Sequence, residues 1–339
     1  MTTVRMGKTG LTVSKNGFGA LPIQRIGTAE AVYLLQKAFH NGITYFDTAR
    51  WYTDSEIKLG EAFRWIRDRL VISTKTGAQN AEDFWKDLET SLTNLKTDYV
   101  DIYQFHNPAF CPKPGGEDGL YDAALEAKKQ GKIRHIGITN HRLAVAREAV
   151  ESGLYETLQF PFSYLAGEAD LALVEQCRQA DMGFIAMKGL AGGLITDSAA
   201  AYAFMAQFDN VAPIWGVQRE NELDEFLSYQ TAPPVMNDEI RARIEADRKE
   251  LAGDFCRGCG YCMPCPQGIR INDCARMSQM LRRAPSAGWL TDEWKAEMKK
   301  IETCLECGAC ASRCPYGLDT PALLKKNLAD YRDNFCPNL

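Results

Sequence analysis

Eight cysteines in the last third of the chain fall into two short runs, and each run ends in a Cys-Pro pair. The first run repeats a cysteine at every third position: Cys256, Cys259, Cys262 and Cys265. The second has one extra residue before its last member: Cys304, Cys307, Cys310 and Cys314. A [4Fe–4S] cluster is held by four thiolates, and a tight loop readily supplies three of them. The spacing therefore predicts two [4Fe–4S] clusters.

The second run resembles the pattern of bacterial two-cluster ferredoxins residue for residue, whereas the first is one residue shorter before its Cys-Pro. In those proteins the last cysteine of each run ligates the other cluster. The resemblance implies one cluster on the first three cysteines of run one and the last of run two: Cys256, Cys259, Cys262 and Cys314. It implies a second cluster on the remaining four: Cys304, Cys307, Cys310 and Cys265. Cys274 is the rival fourth ligand of the first cluster.

Two other uses of these cysteines have to be weighed. Structural zinc usually takes two separated Cys-x2-Cys pairs, and two packed quartets that end in Cys-Pro fit that pattern poorly. Disulfides are disfavoured because the polar opening "MTTVRMGKTGLTVSK" does not resemble a secretory signal, so we expect a reducing cytoplasm. We predict that the four cysteines outside the runs are free thiols: Cys111, Cys177, Cys274 and Cys336.

The bulk composition excludes several classes of partner. The chain has 339 residues, 45% of them hydrophobic and 24% charged, which is typical of globular proteins. It contains no run of 18 apolar residues that would predict a membrane span. The formal net charge of −5 does not indicate nucleic-acid binding. We therefore expect a protein without nucleic-acid or membrane partners.

The chain before the cysteine runs alternates apolar, β-branched segments with amphipathic ones. Eight apolar segments recur: "VSKNGFGALPI", "GITYFDTA", "LVISTKT", "VDIYQFHN", "IRHIGITN", "TLQFPFSY", "GFIAMKG" and "VAPIWGV". Eight strands alternating with helices over about 230 residues favour a parallel (β/α)8 TIM barrel. A doubly wound sheet is the alternative, but "GFGALP" lacks the Gly-rich phosphate loop that usually opens it. The prediction is a barrel over 1–252 and a small α-helical ferredoxin-like domain over 253–339, with helices at 271–283 and 292–303.

Chemistry in such barrels lies at the carboxyl ends of the strands. Four polar residues fall there, at the ends of predicted strands two to four: Asp47, Tyr52, Lys75 and His106. Around them the chain resembles the aldo-keto reductase superfamily in four motifs: "FDTARWYTDSEIKLGEAF", "ISTKT", "DIYQFHNP" and "IGITN". The segment "AMKGLAGG" and the cysteine-rich tail resemble the branch of that superfamily that carries a ferredoxin-like domain. The resemblance implies an oxidoreductase.

The four residues also have a direct chemical interpretation. Hydride addition to a carbonyl carbon leaves an alkoxide that must be protonated, and Tyr52 is the predicted donor. A phenol near pKa 10 holds its proton tightly, so the Lys75 ammonium would lower that pKa while Asp47 holds Lys75 in place. A neutral His106 would donate an N–H to the carbonyl oxygen. Taken singly, a strand-end histidine or a buried ion pair is more often structural.

Residues expected to bind substrate or cofactor follow other strands. Long loops after barrel strands carry specificity, so Trp51, Phe105 and the stretch 107–119 are expected to line the substrate pocket. The superfamily resemblance implies that three polar residues bind the nicotinamide amide: Thr139, Asn140 and Gln159. Met187 stands where the superfamily commonly stacks an aromatic ring on the nicotinamide, and its sulfur could pack there instead.

The segment "WGVQRENELDEF" corresponds to the adenosine-phosphate segment of the superfamily. Glu222 aligns where an arginine often binds the 2′-phosphate of NADPH, and Arg219 is the nearby cation. A carboxylate would oppose a 2′-phosphate but could accept hydrogen bonds from free ribose hydroxyls. Either NAD(H) or NADP(H) therefore remains possible, with NADH favoured.

Two classes of function remain open. In the first, the chain reduces a carbonyl, or oxidises an alcohol, of a small metabolite, and its clusters exchange electrons with a ferredoxin, a flavoprotein or a nicotinamide. Clusters move single electrons and nicotinamide moves a hydride, so this class needs a two-electron gate. In the second, the clusters are structural or sensory on a plain reductase or a nearly inactive binding module.

Overall fold

The computed structural model of the chain describes residues 2–251, 255–283 and 286–337. Contacts divide the chain into two compact units. The first comprises Met1–Gly189 and Ala199–Met236, and the second comprises Leu190–Ser198 and Asn237–Leu339. The predicted boundary between residues 252 and 253 lies outside the described residues and stays a prediction.

Strands of the first unit form a small hairpin and a barrel. The antiparallel hairpin consists of β1 (Thr3–Arg5) and β2 (Thr12–Ser14). Eight strands close the barrel in the order β10-β3-β4-β5-β6-β7-β8-β9: β3 (Gly17–Gly19), β4 (Tyr45–Asp47), β5 (Val71–Thr76), β6 (Val100–His106), β7 (Ile133–Thr139), β8 (Thr157–Pro161), β9 (Gly183–Met187) and β10 (Val211–Gly216). Every neighbouring pair in the barrel is parallel. The barrel prediction is confirmed.

Helices alternate with the barrel strands along the chain. Their bounds are α1 (Thr28–His40), α2 (Ser55–Phe63), α3 (Ala81–Leu95), α4 (Leu120–Lys129), α5 (Leu143–Ser152), α6 (Glu168–Gln179), α7 (Ser198–Ala206) and α8 (Glu220–Thr231), with short 3-10 helices at Pro22–Arg25 and Arg67–Arg69. Helix α3 shows the local signals most clearly. The Asn80 side chain accepts a hydrogen bond from the Asp83 N–H at 2.9 Å, and Lys96 ends the helix in the left-handed region at φ 53°.

The register of the barrel strands places polar residues of neighbouring strands side by side. The register pairs Asp47 with Ser73, Lys75 with Gln104, and Gln104 with Gly137. A Cβ on Gly137 would lie 2.9 Å from the Gln104 side chain and 2.3 Å from the Thr157 hydroxyl oxygen. Only glycine therefore leaves room for Gln104 at that level.

The described regular structure of the second unit is helical. Its helices are α9 (Asp238–Glu250), α10 (Ile271–Cys274), α11 (Met277–Arg283), α12 (Asp292–Lys299), α13 (Ala309–Ser312) and α14 (Thr320–Asn334), with 3-10 helices at Ala287–Trp289 and Lys300–Thr303. Asn237 and Asp319 cap α9 and α14 by accepting backbone N–H hydrogen bonds at 2.8 and 3.1 Å. The helix predicted at 271–283 is two helices, and the one predicted at 292–303 ends in a 3-10 turn.

A hydrophobic cluster holds the helices of the second unit together. It is built from buried side chains of α10 to α14 and the turns between them: Ile269, Ile271, Met277, Trp294, Met298, Ile301, Leu324, Leu328 and Tyr331. Three members of the cysteine runs are buried in the same cluster: Cys256, Cys262 and Cys310. These three thiols are therefore part of the core of this unit.

Across the described part of the chain, the helices are all too short or too polar to cross a membrane.

Candidate active site and cluster sites

Neighbouring barrel strands bring three of the four predicted catalytic residues together. Asp47 is the last residue of β4, Lys75 is the next-to-last residue of β5, and His106 ends β6. Tyr52 lies in the turn between β4 and α2. Because β4, β5 and β6 are adjacent and parallel, their carboxyl ends meet at one edge of the barrel.

Asp47 and Lys75 form a buried ion pair. The Lys75 Nζ lies 2.6 Å from Asp47 Oδ1 and also donates to the Thr48 carbonyl oxygen at 2.5 Å. The two side chains are 3% and 1% exposed, so little water screens the pair. Burial lowers the pKa of the Lys75 ammonium below its ordinary value, while the Asp47 charge opposes that shift. Removing either partner would leave a buried charge without compensation.

Three further side chains hold the Asp47 carboxylate. The Ser73 hydroxyl donates to Oδ2 at 2.6 Å, and the amide nitrogens of Gln104 and Gln159 approach the carboxylate at 3.4 and 3.3 Å. Gln104 also donates to Gln159 Oε1 at 2.8 Å. The sequence-based reasoning missed Ser73 and Gln104. Each lies two residues before a predicted catalytic residue, Lys75 or His106, so the strand period of two placed it on the same face.

His106 is held neutral by its surroundings. Burial, reinforced by the positive charge of Lys75, lowers its pKa to about 3. Its ring packs against Trp51, with the ring centroids 4.8 Å apart, and edge-on against Tyr52 at 5.9 Å. The buried Nδ1 has no hydrogen-bond partner among the residues that the structure describes. A neutral imidazole can donate an N–H to a substrate oxygen without carrying charge.

The Tyr52 ring lies near both the lysine and the histidine. The Lys75 Nζ lies 5.2 Å from the centroid of the Tyr52 ring. A cation at that distance stabilises a phenolate over a phenol. The structure thus joins the four predicted catalytic side chains by three neighbouring pairs: Asp47 with Lys75, Lys75 with Tyr52, and Tyr52 with His106.

The two aromatic residues expected in the substrate pocket differ in position. The Trp51 ring is 54% exposed and lies so close to Gly77 that a Cβ there would be 1.8 Å from it. Phe105 is buried instead, and its ring packs against Phe84 and Tyr155. It belongs to the core because strand neighbours face opposite ways, and its neighbour His106 faces the site.

The residues expected to bind the nicotinamide amide are adjacent and buried. Thr139 pairs in register with Gln159 across β7 and β8, and Asn140 follows directly. The Asn140 amide donates to the Pro108 carbonyl oxygen at 2.8 Å, and its oxygen accepts the Arg142 N–H at 2.8 Å. These contacts fix the orientation of the Asn140 amide group, as preorganised binding requires.

The residues expected near the rest of the nucleotide have other contacts. Met187 ends β9 and is 9% exposed. Glu222 accepts the backbone N–H groups of Gln218 and Arg219 at 2.9 and 3.0 Å, and so caps the start of α8. Its other oxygen lies 3.5 Å from the Arg219 guanidinium. The only cation expected for a 2′-phosphate is thus already paired with a carboxylate.

One cavity of the second unit, about 340 Å³ including its open mouth, brings thiols of both runs together. Three come from the first run and one from the second: Cys256, Cys259, Cys262 and Cys314. The backbone N–H of Gly258 donates to the Cys256 sulfur at 3.4 Å. Hydrogen bonds to cysteine sulfur are among the features that tune iron–sulfur clusters, so the donor set fits such a group.

A second cavity of about 380 Å³ collects the other four predicted ligands. They are Cys304, Cys307, Cys310 and Cys265. Of these, Cys307 is exposed and Cys310 is buried. Cys274, the rival ligand, is not among the residues that line either cavity.

The buried thiols resist ionisation in the protein alone. Burial, with the neighbouring Cys256 and Cys259, raises the pKa of Cys262 to about 12, and burial also raises the pKa values of Cys256 and Cys310. Thiolates are the species that bind iron, so a bound metal would offset the cost of ionising these buried thiols. Burial raises the pKa of Cys274 to about 12 as well.

Comparison with protein families assigns both parts of the chain. Residues 15–201 match the model of the Aldo/keto reductase family, and residues 255–319 match that of the 4Fe-4S dicluster domain. The first match covers more than half of the chain, so the chain belongs to the aldo/keto reductase family. The resemblance to the branch with an iron–sulfur domain is confirmed.

Curated relatives match the barrel part. L-galactose dehydrogenase of Arabidopsis thaliana is 31% identical over 215 residues, which cover 57% of this chain and 66% of that protein. The 6-dehydroglucose reductase of Novosphingobium aromaticivorans is 30% identical over 156 residues, covering 40% of this chain and 50% of that protein. The chain therefore spans less than two thirds of the length of these relatives.

Solved structures share the fold. An aldo-keto reductase from Bacillus halodurans in its holo form has a TM-score of 0.63 at 22% identity and covers 73% of this chain and 96% of that one. An aldo-keto reductase from Klebsiella pneumoniae in complex with NADPH has a TM-score of 0.60 at 23% identity, covering 72% and 94%.

Proposed function

We propose that the chain reduces a carbonyl group of a small metabolite, or oxidises the corresponding alcohol, at the carboxyl ends of β4 to β6. The observation that carries this proposal is the buried Asp47–Lys75 pair at 2.6 Å, with Tyr52 and a neutral His106 beside it. A purely structural ion pair would not need a tyrosine and a histidine against it. The ordered quartet is therefore assigned to catalysis.

Each residue of the quartet has a distinct role in the proposed reaction. Tyr52 donates a proton to the oxygen as negative charge develops on it. The Lys75 ammonium stabilises the resulting phenolate, and Asp47 holds Lys75 in position. His106 donates an N–H to the same oxygen and orients the carbonyl. In the oxidative direction the same groups act in reverse.

A nicotinamide cofactor, when bound, would supply or accept the hydride. Thr139, Asn140 and Gln159 would hold its amide, since all three are buried and hydrogen bonds orient the Asn140 and Gln159 amide groups. Met187 would pack its sulfur against the ring. We assign NADH as the better ligand because the carboxylate of Glu222 repels a 2′-phosphate and neutralises the Arg219 cation.

The second unit is assigned two [4Fe–4S] clusters with crossed ligands. The 4Fe-4S dicluster match and the two mixed quartets of thiols support this assignment. The clusters would exchange single electrons with a ferredoxin or flavoprotein. Because the reaction at the barrel moves two electrons, a further group would have to convert single-electron transfer into a two-electron step. In domain terms we assign the catalytic part to 1–252 and the cluster part to 253–339.

An anaerobic donor assay tests this function. Two relatives are named for reactions of sugars, so aldoses and keto-sugars are the first substrates to screen. NADH, NADPH and reduced ferredoxin are compared as donors, while EPR follows the clusters. Carbonyl reduction with any of these donors, lost in Tyr52→Phe, supports the proposal. Absence of turnover with every donor, together with clusters that stay in one redox state, favours a structural or sensory role for the clusters instead.

A further inference from the structure

The segment Leu190–Ser198 has unexpected neighbours. In sequence it connects β9 to α7, and it begins three residues after Met187. By its contacts, however, it belongs to the second unit, with the cysteine runs. Leu194 and Ile195 are 0% and 2% exposed, so the segment is packed rather than loose.

One arginine of the second unit anchors the middle of this segment. Arg283 donates from Nε to the Leu194 carbonyl oxygen at 2.6 Å. Its side chain is 5% exposed and is neutralised by Asp247 and Glu250 at 2.6 and 2.5 Å. The two carboxylates thus neutralise the charge of Arg283, which is typical of a structural contact.

A second arginine anchors the segment and also faces the first cysteine run. Arg276 donates from Nη1 to the Gly192 carbonyl oxygen at 2.8 Å. A Cβ on Gly192 would lie 2.9 Å from Nη1, and a Cβ on Gly258 would lie 2.6 Å from the guanidinium carbon. Both glycines have positive φ, at 68° and 62°. The guanidinium is therefore held between the segment and the ligand loop that begins at Cys256.

The charge of Arg276 is directed toward the thiols. Its Nε is buried without a hydrogen-bond partner among the described residues. Gly258, against which the guanidinium lies, donates its backbone N–H to the Cys256 sulfur at 3.4 Å. An anionic group formed on these thiols would therefore attract the guanidinium.

We propose that Arg276 is a positioning residue that ties the segment Leu190–Ser198 to the cluster formed on Cys256, Cys259, Cys262 and Cys314. The inference rests on the cluster assignment of the proposed function. A [4Fe–4S] cube with four thiolates carries a charge of about −2 and gains one more electron on reduction. Loading and reduction of this cluster then strengthen the hold on Arg276, and through it order the segment that follows Met187.

Three variants separate the charge of Arg276 from its shape. Arg276→Met removes both, while Arg276→Lys keeps the charge but loses the planar guanidinium that donates to the Gly192 carbonyl oxygen. Arg282→Met is the matched control because Arg282 lies on α11, the helix that follows Arg276, is half-exposed and pairs with Asp330 at 2.6 Å. All are measured as full chains that have been loaded with iron and sulfide anaerobically.

Three quantities are read: iron per chain, the midpoint potentials of the clusters by EPR-monitored titration, and hydrogen exchange of amides in 190–198. We expect Arg276→Met to lower one of the two midpoint potentials and to speed exchange of the segment about tenfold, as loss of a charged hydrogen bond implies. Arg276→Lys should keep that potential and still speed exchange. Arg282→Met should change neither.

The outcomes distinguish failure of the cluster assignment from failure of the role proposed for Arg276. Wild-type protein that binds zinc or no iron overturns both the cluster assignment and the role of Arg276. Normal iron with unchanged potentials and unchanged exchange in Arg276→Met overturns the role of Arg276 alone. If Arg276→Met cannot hold iron, the Arg276→Lys variant is used as the test instead. Amide exchange in 190–198 as slow as in the wild type would then overturn the inference.

Discussion

The barrel site and the cysteine cavities differ in how their charges are balanced. In the barrel, Asp47 and Lys75 neutralise each other at 2.6 Å, and Ser73 supports the carboxylate. In the second unit, burial disfavours the ionised form of thiols such as Cys256 and Cys262. The residues of the barrel site thus balance their own charges, whereas thiolates in the second unit would need positive charge from a bound metal.

The same difference extends to packing. Three of the predicted cysteine ligands are buried in the hydrophobic cluster that holds the helices of the second unit together: Cys256, Cys262 and Cys310. Iron bound to them would hold that core together, as structural metals do in small domains. The barrel strands instead derive their order from eight parallel pairings that close on themselves.

Removing one crossed ligand should have the largest effect on the cysteine side. Cys314→Ser should lose about four of about eight iron atoms per chain, and the lost cluster should be the one on the first run. Cys274→Ala is the matched control and should keep its iron, because Cys274 lines neither described cavity. Iron content and EPR check this. Selective loss of the cluster on Cys304, Cys307 and Cys310 would show that the crossed assignment is wrong.

The corresponding change on the barrel side is Tyr52→Phe. It should reduce carbonyl turnover by about 10²–10⁴-fold, because it deletes the proton donor and keeps the ring that packs on His106. Steady-state kinetics with circular dichroism and iron content measure the effect. Tyr121→Phe, which loses a hydroxyl bonded to the Leu154 carbonyl oxygen, is the control. Wild-type turnover in Tyr52→Phe would exclude Tyr52 as the donor.

Acid should weaken the barrel through His106. Its folded pKa of about 3 lies below the value near 6.5 of an unfolded histidine, so its contribution to stability is complete above pH 6.5 and is lost as pH falls toward 3. This costs at most about tenfold in the folded-to-unfolded ratio per pH unit. His106→Gln should therefore flatten the decline in urea midpoint between pH 6.5 and 5. An equal decline in His106→Gln and in the control His40→Gln would contradict the buried, neutral state.

The smallest expected effect concerns the nucleotide. Glu222→Gln keeps an oxygen to accept the Gln218 and Arg219 N–H groups but removes the negative charge. NADPH should then bind a few-fold to about tenfold more tightly, with little change for NADH. Glu225→Gln on the same helix should change neither dissociation constant. Tighter binding of NADPH than NADH by the unmodified chain would refute the proposed preference.

Local sequence signals account for most of the barrel. All eight barrel strands fall within the predicted apolar segments, because strands buried on both faces need continuous apolar runs. The hairpin of β1 and β2 was missed because three-residue strands such as Thr3–Arg5 are too short for any periodicity. The pattern also predicted one helix at 271–283, but the chain breaks it at Ala275 and Arg276, where tertiary contacts decide the backbone.

The candidate sites were likewise predicted only in part from local sequence. Residue types and spacing were enough to nominate Asp47, Lys75 and the cysteine runs, since these chemistries demand particular side chains. Contacts between distant segments could not be predicted from the sequence. They include the hydrogen bond from Gln104 to Gln159 and the hydrogen bond from Arg276 to the Gly192 carbonyl oxygen. Such contacts depend on how strands and loops meet in space, which a single sequence does not encode locally.

We expect that the chain alone orders the barrel site, whereas bound metal orders the cysteine sites of the second unit. Amide hydrogen exchange before and after anaerobic removal of iron tests this expectation most directly. We predict that amides of β4, β5 and β6 keep their exchange rates. Amides in 255–283 and 300–319 should exchange at least about tenfold faster, because their core loses its metal-bound thiols. Equal loss of protection in both regions, or unchanged protection in the second, would contradict this division.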